Sequence, residues 1–143
     1  MSQEQTIQTS GRRKSACARV SLSVNPKATQ HEVTISSKNV NGQPVAEYFS
    51  GNNGNSRHLN EVMQPLALTK GVYFTVKANV DGGGLTGQSG ALNLAIAKAL
   101  VIYNNELRPE LKSAGYLTSD SRKVERLKAG QKGARAGNQW KKR

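Results

Sequence analysis

From Ala129 to Arg143 the chain reads AGQKGARAGNQWKKR, with no aliphatic side chain larger than alanine and a single aromatic. A segment like that has too little apolar surface to offset the entropy of ordering it. Any core must therefore come from the residues before it. The charge divides along the same line. Residues 108–143 hold eleven Lys and Arg against Glu110, Asp120 and Glu125. Residues 1–20 hold Arg12, Arg13, Lys14 and Arg19 against Glu4, whereas residues 21–107 are close to neutral. Of the formal +12, almost all sits at the two ends. A neutral stretch can pack, but a run of like charge repels itself and calls for an external polyanion, with counterion release as the driving term. Nucleic acid is the partner this layout favours over a merely solubilising surface.

Within 143 residues and 36% hydrophobic content there is room for one modest core. Cys17 is the only cysteine, so an internal disulfide and a multi-cysteine metal site are excluded. No run reaches the 18 or so apolar residues of a membrane span. The longest candidate, Ala91 to Tyr103, is interrupted by Asn93 and Lys98. The opening MSQEQTIQTS has neither the basic and apolar regions of a signal peptide nor the arginines of a transit peptide. The expected organisation is a disordered extension over 1–10, a globular body over 11–117 and an extended basic tail over 118–143.

Alternation of Ala18, Val20, Leu22 and Val24 with Arg19, Ser21 and Ser23 predicts a half-buried strand within 13–24, ended by Asn25-Pro26. Residues 32–36 alternate again, and Asn41-Gly42 reads as a turn. Residues 44–49 suit a short helical turn carrying Tyr48 and Phe49 inward. Leu59, Val62 and Met63 give residues 57–64 a helical spacing, with Pro65 after it. Residues 72–80 (VYFTVKANV) read as a central strand. Leu92, Ile96, Ala99, Leu100 and Tyr103 mark a helix over 89–105, and Pro109 opens a short helix ending near Gly115.

Between that central strand and the long helix lies Gly82-Gly83-Gly84-Leu85-Thr86-Gly87-Gln88-Ser89. It satisfies G-x-G-x-x-G at Gly82, Gly84 and Gly87 and comes within one residue of a P-loop. The P-loop reading fails because Gln88 stands where a phosphate-binding lysine is needed. The dinucleotide reading needs an acid at the end of a following strand, and Glu106 directly follows the helix instead. What survives is a glycine turn whose N–H groups and helix start can meet a phosphate, or a tight turn with no ligand. His31 and His58 have no second ligand at a metal spacing. Ser15, Ser89 and Cys17 show no base-and-orienter set. No catalytic role, metal or cofactor is expected.

Five blocks in series carry a resemblance. Gly11-Arg12-Arg13-Lys14-Ser15 with Ala18-Arg19-Val20 comes first, then Val40-Asn41-Gly42 with Tyr48-Phe49 and Gln64-Pro65-Leu66. The glycine loop with Ala97-Lys98-Ala99-Leu100 follows, then Leu111 to Thr118 with Asp120, Arg122 and Val124-Glu125-Arg126, and last Gln139 to Arg143. Over about 11–143 the chain resembles the ribosomal protein S-nine family of the small subunit. That resemblance implies an α+β fold of the ribosomal S-five domain-two type, with a left-handed β-α-β crossover in one sheet backed by helices, plus a long basic tail. It implies a non-enzymatic protein in the head of the small subunit, bound to ribosomal RNA beside neighbouring proteins, with no membrane and no homo-oligomer.

The residues assigned to RNA on that basis are Arg12, Arg13, Lys14 and Arg19, the loop residues Gly83, Gly84, Thr86, Gly87 and Gln88, and the tail residues Arg122, Lys123, Arg126, Lys128, Lys132, Arg135 and Trp140. Lys141, Lys142 and Arg143 are assigned to peptidyl-site tRNA. Ala136 and Gly137 replace bases frequent in relatives, Trp140 replaces Phe or Tyr, and Lys141 adds a charge. Asn93-Leu94 stand where relatives carry Arg and His, and the 51–56 loop is longer than usual. The stretches 94–100 and 115–118 are more similar to plastid than to bacterial members. A nucleotide-binding enzyme and a free-standing nucleic-acid chaperone are the other readings open at this stage.

Overall fold

A computed structural model describes residues 6–50, 56–69 and 71–142. Its strands are β1 (Ile7–Arg13), β2 (Ala16–Val24), β3 (Glu32–Ser37), β4 (Val40–Pro44) and β5 (Phe74–Asp81). Its helices are α1 (Val45–Ser50), α2 (Ser56–Ala67), α3 (Leu85–Tyr103) and α4 (Arg108–Ser113), with a 3-10 turn at Asn105–Leu107. The strands form one sheet in the order β1-β2-β5-β3-β4. Pairing is antiparallel except between β3 and β5, which run parallel. The connection between those two includes α1 and α2, so this is a β-α-β unit inside an α+β fold.

The sheet is two-faced because its strands alternate. Ala18, Val20, Leu22, Val33, Ile35, Phe74, Val76, Ala78 and Val80 are buried on one side, with α3 lying across β1 and β2. α3 supplies Leu92, Ile96 and Leu100, α2 adds Val62 and Leu66, and Phe49 and Leu111 close the core's edges. In length and composition α3 matches a membrane span, and burial between the sheet and α2 accounts for its being apolar almost all round.

Contact between β1 and α3 is unusually close. A Cβ on Gly11 would run into the carbonyl oxygen of Ala91 and lie 2.8 Å from the Ala95 nitrogen. Nearby, the Thr9 hydroxyl donates to the Ala95 carbonyl at 2.8 Å. These contacts explain one departure from the sequence reading. Ile7–Ser10 belong to β1, paired with Leu22 to Arg19, rather than to an unstructured extension. Met1–Gln5 lie outside the described residues.

Other boundaries moved for identifiable reasons. The strand expected within 13–24 starts only at Ala16, and Lys14 and Ser15 form the hairpin turn that joins it to β1. Lys14 takes φ 55°, the left-handed conformation that two-residue hairpins require. Asn41-Gly42 lies inside β4, where Gly42 at φ 62° accompanies a register shift, and the reversal falls at Lys38-Asn39 instead. α3 begins at Leu85 rather than Ser89 and ends at Tyr103, with Gly84 as its N-cap and with Gly87 and Gly90 packed against the Arg13 backbone and side chain. α2 continues through Pro65 to Ala67. Proline cannot donate to the carbonyl four residues back, and here the Asn93 side-chain amide donates to that same Glu61 carbonyl. The extended loop expected around 51–56 falls largely on Gly51–Asn55, outside the described residues.

Candidate nucleic-acid interface

The β1–β2 turn, the glycine loop and the start of the tail meet at one end of the sheet. Gly82 and Gly83 take φ of 71° and 64°. A Cβ on Gly82 would lie 2.8 Å from the Ser15 carbonyl, and one on Gly83 would lie 2.9 Å from the Ala16 Cβ. Both positions are glycine because the loop presses on the hairpin turn. Gly87 is buried, and a Cβ there would lie 3.3 Å from the Arg13 carbonyl. Gly84 alone opens onto empty space, capping α3 in extended conformation without a side-chain hydrogen bond. Thr86 is exposed beside it.

Gln88 takes part in the loop from within. Its amide oxygen accepts from the Tyr48 hydroxyl at 2.9 Å, and its nitrogen donates to the Gly82 carbonyl at 3.1 Å. The sequence placed Gln88 among RNA contacts, whereas the structure gives its amide two internal partners that shape the turn. No strand follows α3 among the described residues, so the dinucleotide motif lacks its second half.

Arg13 is likewise turned inward, unlike Arg12 and Lys14 on either side. Its guanidinium crosses Gly90 and donates to Glu61 Oε1 at 2.9 Å. Glu61 Oε2 accepts from Ser89 Oγ at 2.7 Å, and His58 Nδ1 lies 3.3 Å from the same hydroxyl. Because the carboxylate contacts Ser89 directly, no Ser–His–acid relay is formed. This is a brace tying β1, α2 and α3. Around it lie a hollow of about 310 Å³ bordered by Arg12, Arg13, Asn93, Tyr116 and Asp120, and a wider one of about 730 Å³ bordered by Arg57, His58, Asn60 and Thr86. Glu61 and Arg57 carried no motif, and only the three-dimensional packing brings them here.

Asp120 lies at this corner and folds the start of the tail around its own carboxylate. It accepts from the Arg122 backbone N–H at 3.0 Å and from Arg122 Nη2 at 2.8 Å, with Arg13 Nη2 at 4.0 Å. The Arg122 hydrogen bonds hold its carboxyl far below the usual carboxylate range, and the Arg122 guanidinium is pushed up in turn. Farther on, Arg135 donates to Glu125 at 2.6 and 3.0 Å, which lowers the Glu125 carboxyl and raises the Arg135 guanidinium. The Asn138 amide donates to the Gly130 carbonyl at 2.9 Å, so residues 125–138 turn back on themselves. No helix or strand occurs over 118–142. Lys123, Arg126, Lys128, Lys132, Lys141 and Lys142 are exposed, and Trp140 is 79% exposed. Arg143 lies outside the described residues.

A one-sided sheet with exposed cations on its hairpin turn, open strands and tail is the layout of a small α+β protein built to meet a polyanion. The family comparison gives that class its particular member. The model for ribosomal protein S9/S16 matches residues 11–143, body and tail alike, and the chain belongs to that family. It is a structural protein of the small ribosomal subunit, and ribosomal RNA and ribosomal proteins are its partners.

Proposed function

We propose that the chain is built into the head of the small subunit, where its body fixes position on ribosomal RNA and its tail runs on to peptidyl-site tRNA. The observation that carries this reading is the family match, which extends through the tail to residue 143 and so includes residues no core can use. Lys14, Arg12 and Arg19 present exposed charge on the body, and the tail cations continue it. Lys141, Lys142 and Arg143 are the proposed tRNA contacts, and Trp140 offers a stacking face worth about 1–3 kcal/mol against a base. The similarity of residues 94–100 and 115–118 to plastid members supports a plastid ribosome as the setting.

Sucrose-gradient sedimentation of the tagged protein after a high-salt wash tests the assembly. The account expects it to remain with small subunits, since loosely held electrostatic ligands are stripped by salt. Migration at the top of the gradient contradicts it. Deleting residues 141–143 is expected to weaken peptidyl-site tRNA retention while leaving assembly intact. Loss of assembly would refute that division of labour.

A further inference from the structure

Among the described residues no helix covers the side of the sheet away from α3, and the side chains there form a grid fixed by register. Arg19 pairs with Ser10 on one side and Asn79 on the other, and Ser36 lies beyond Asn79. One row along, Ser21 pairs with Gln8 and Lys77, with Thr34 beyond. One row the other way, Cys17 lies between Arg12 and Asp81. Arg12, Arg19 and Lys77 therefore occupy successive diagonal positions on three adjacent strands, each about 7–8 Å from the next by sheet geometry. All three are exposed, and none has an ion-pair partner among the described residues. Asp81 is met by Lys38 at 3.5 Å. A shallow depression of about 180 Å³, bordered by Cys17, Arg19, Lys38 and Asn79, lies beside the stripe.

We infer that this open face extends the RNA-binding surface of the body across the sheet from Arg12, which also borders the hollow beside the tail, and that it grips the sugar–phosphate backbone of double-helical RNA. Charge complementarity selects the ligand class, because a diagonal of unpaired cations framed by Ser, Thr, Asn and Gln matches phosphates and 2′-hydroxyls. The face of these strands carries no aromatic side chain in those rows. Stacking of splayed bases, the usual route to single-stranded sequence, is thus not provided. The inference rests on the ribosomal reading and adds Lys77, Asn79, Ser21 and Thr34 to it.

The test uses the full chain and protein-free small-subunit ribosomal RNA. For Arg19→Ala with Lys77→Ala, the slope of log affinity against log salt should fall by roughly 2. Independently, Cys17, the chain's only thiol, should react with iodoacetamide in the free protein and become protected when RNA is added. Because the second readout uses the unmodified chain, it decides the matter even if the double variant fails to fold. An unchanged slope overturns the inference while leaving ribosomal membership intact, as does Cys17 that stays reactive on RNA or becomes protected only when other small-subunit proteins are added. Failure of the unmodified chain to bind the RNA at all overturns the proposed docking of the body directly on ribosomal RNA, and this inference with it.

Discussion

Arg13–Glu61 in the body and Arg135–Glu125 in the tail are the same chemical pair at similar separations, 2.9 and 2.6 Å. They differ in what surrounds them. Glu61 also accepts from Ser89, in contact with a fully buried stretch of α3, and its side chain is 27% exposed. Arg135 is 83% exposed, and its loop contributes no side chain to the hydrophobic core. An arginine–carboxylate pair is worth most where its removal strands buried polar groups, and little where water replaces the lost partner. The Arg13–Glu61 pair thus helps specify a fold. The ion pairs of the tail hold a shape that a phosphate can exchange for its own contacts.

Substitutions sort by this difference. The largest effect is expected in the body, where Leu92→Ala should cost about 3 kcal/mol or more through lost burial and a cavity. Deleting residues 121–143 should leave the urea midpoint of the body unchanged. A large loss on deletion would break the comparison, because it would make the tail part of the folding unit. Next comes Glu61→Ala, which strands Arg13 and Ser89 together and should cost about 2 kcal/mol. Arg135→Ala in the same denaturation experiment should show no measurable change.

The smallest effects concern pH, and they also separate the regions. Burial lowers the His31 ring below its usual value, and its Nδ1 accepts from the Phe74 N–H at 3.3 Å. The unfolded chain takes up that proton as pH falls through about 6.5, while the native ring resists. Stability should therefore decline as pH drops below 7 and level off beneath the native ring's own lower value, and His31→Gln should flatten that part of the curve. Asp120 titrates elsewhere. Its carboxyl is held down by Arg122, so the Asp120–Arg122 pair persists through the ordinary carboxylate range and is lost only on further acidification. A side-chain NMR titration of Asp120 should return to the ordinary range in Arg122→Ala. An unchanged midpoint would mean that another group holds it.

Periodicity made the sheet face and α3 legible, because Val20, Leu22, Ile96 and Leu100 are spaced for burial. It missed the start of β1, since Ile7 and Thr9 acquire meaning only through Leu22 across the hairpin and the Ala95 carbonyl above. Pro65 reads as a helix end, and nothing near it in sequence reveals that Asn93, 28 positions later, satisfies the carbonyl it leaves open. The glycine loop was recognised, but the reason for its glycines is the press of Ser15 and Ala16. The residues that the family resemblance assigns to RNA are of mixed placement. Arg12, Lys14 and Arg19 face outward, while Arg13 and Gln88 are engaged inside. Lys77 belongs to no motif in a strand of mixed character, because its place on a stripe depends on register across three strands.

If the body folds on its own whereas the tail takes its order from RNA, amide hydrogen exchange must tell the two regions apart. In the free protein, amides of β2, β5 and α3 should be protected while those of 121–142 exchange rapidly. In salt-washed small subunits the tail amides should become protected as well. A tail that still exchanges freely inside the subunit, or a body that exchanges as fast as the tail when alone, would contradict the claim.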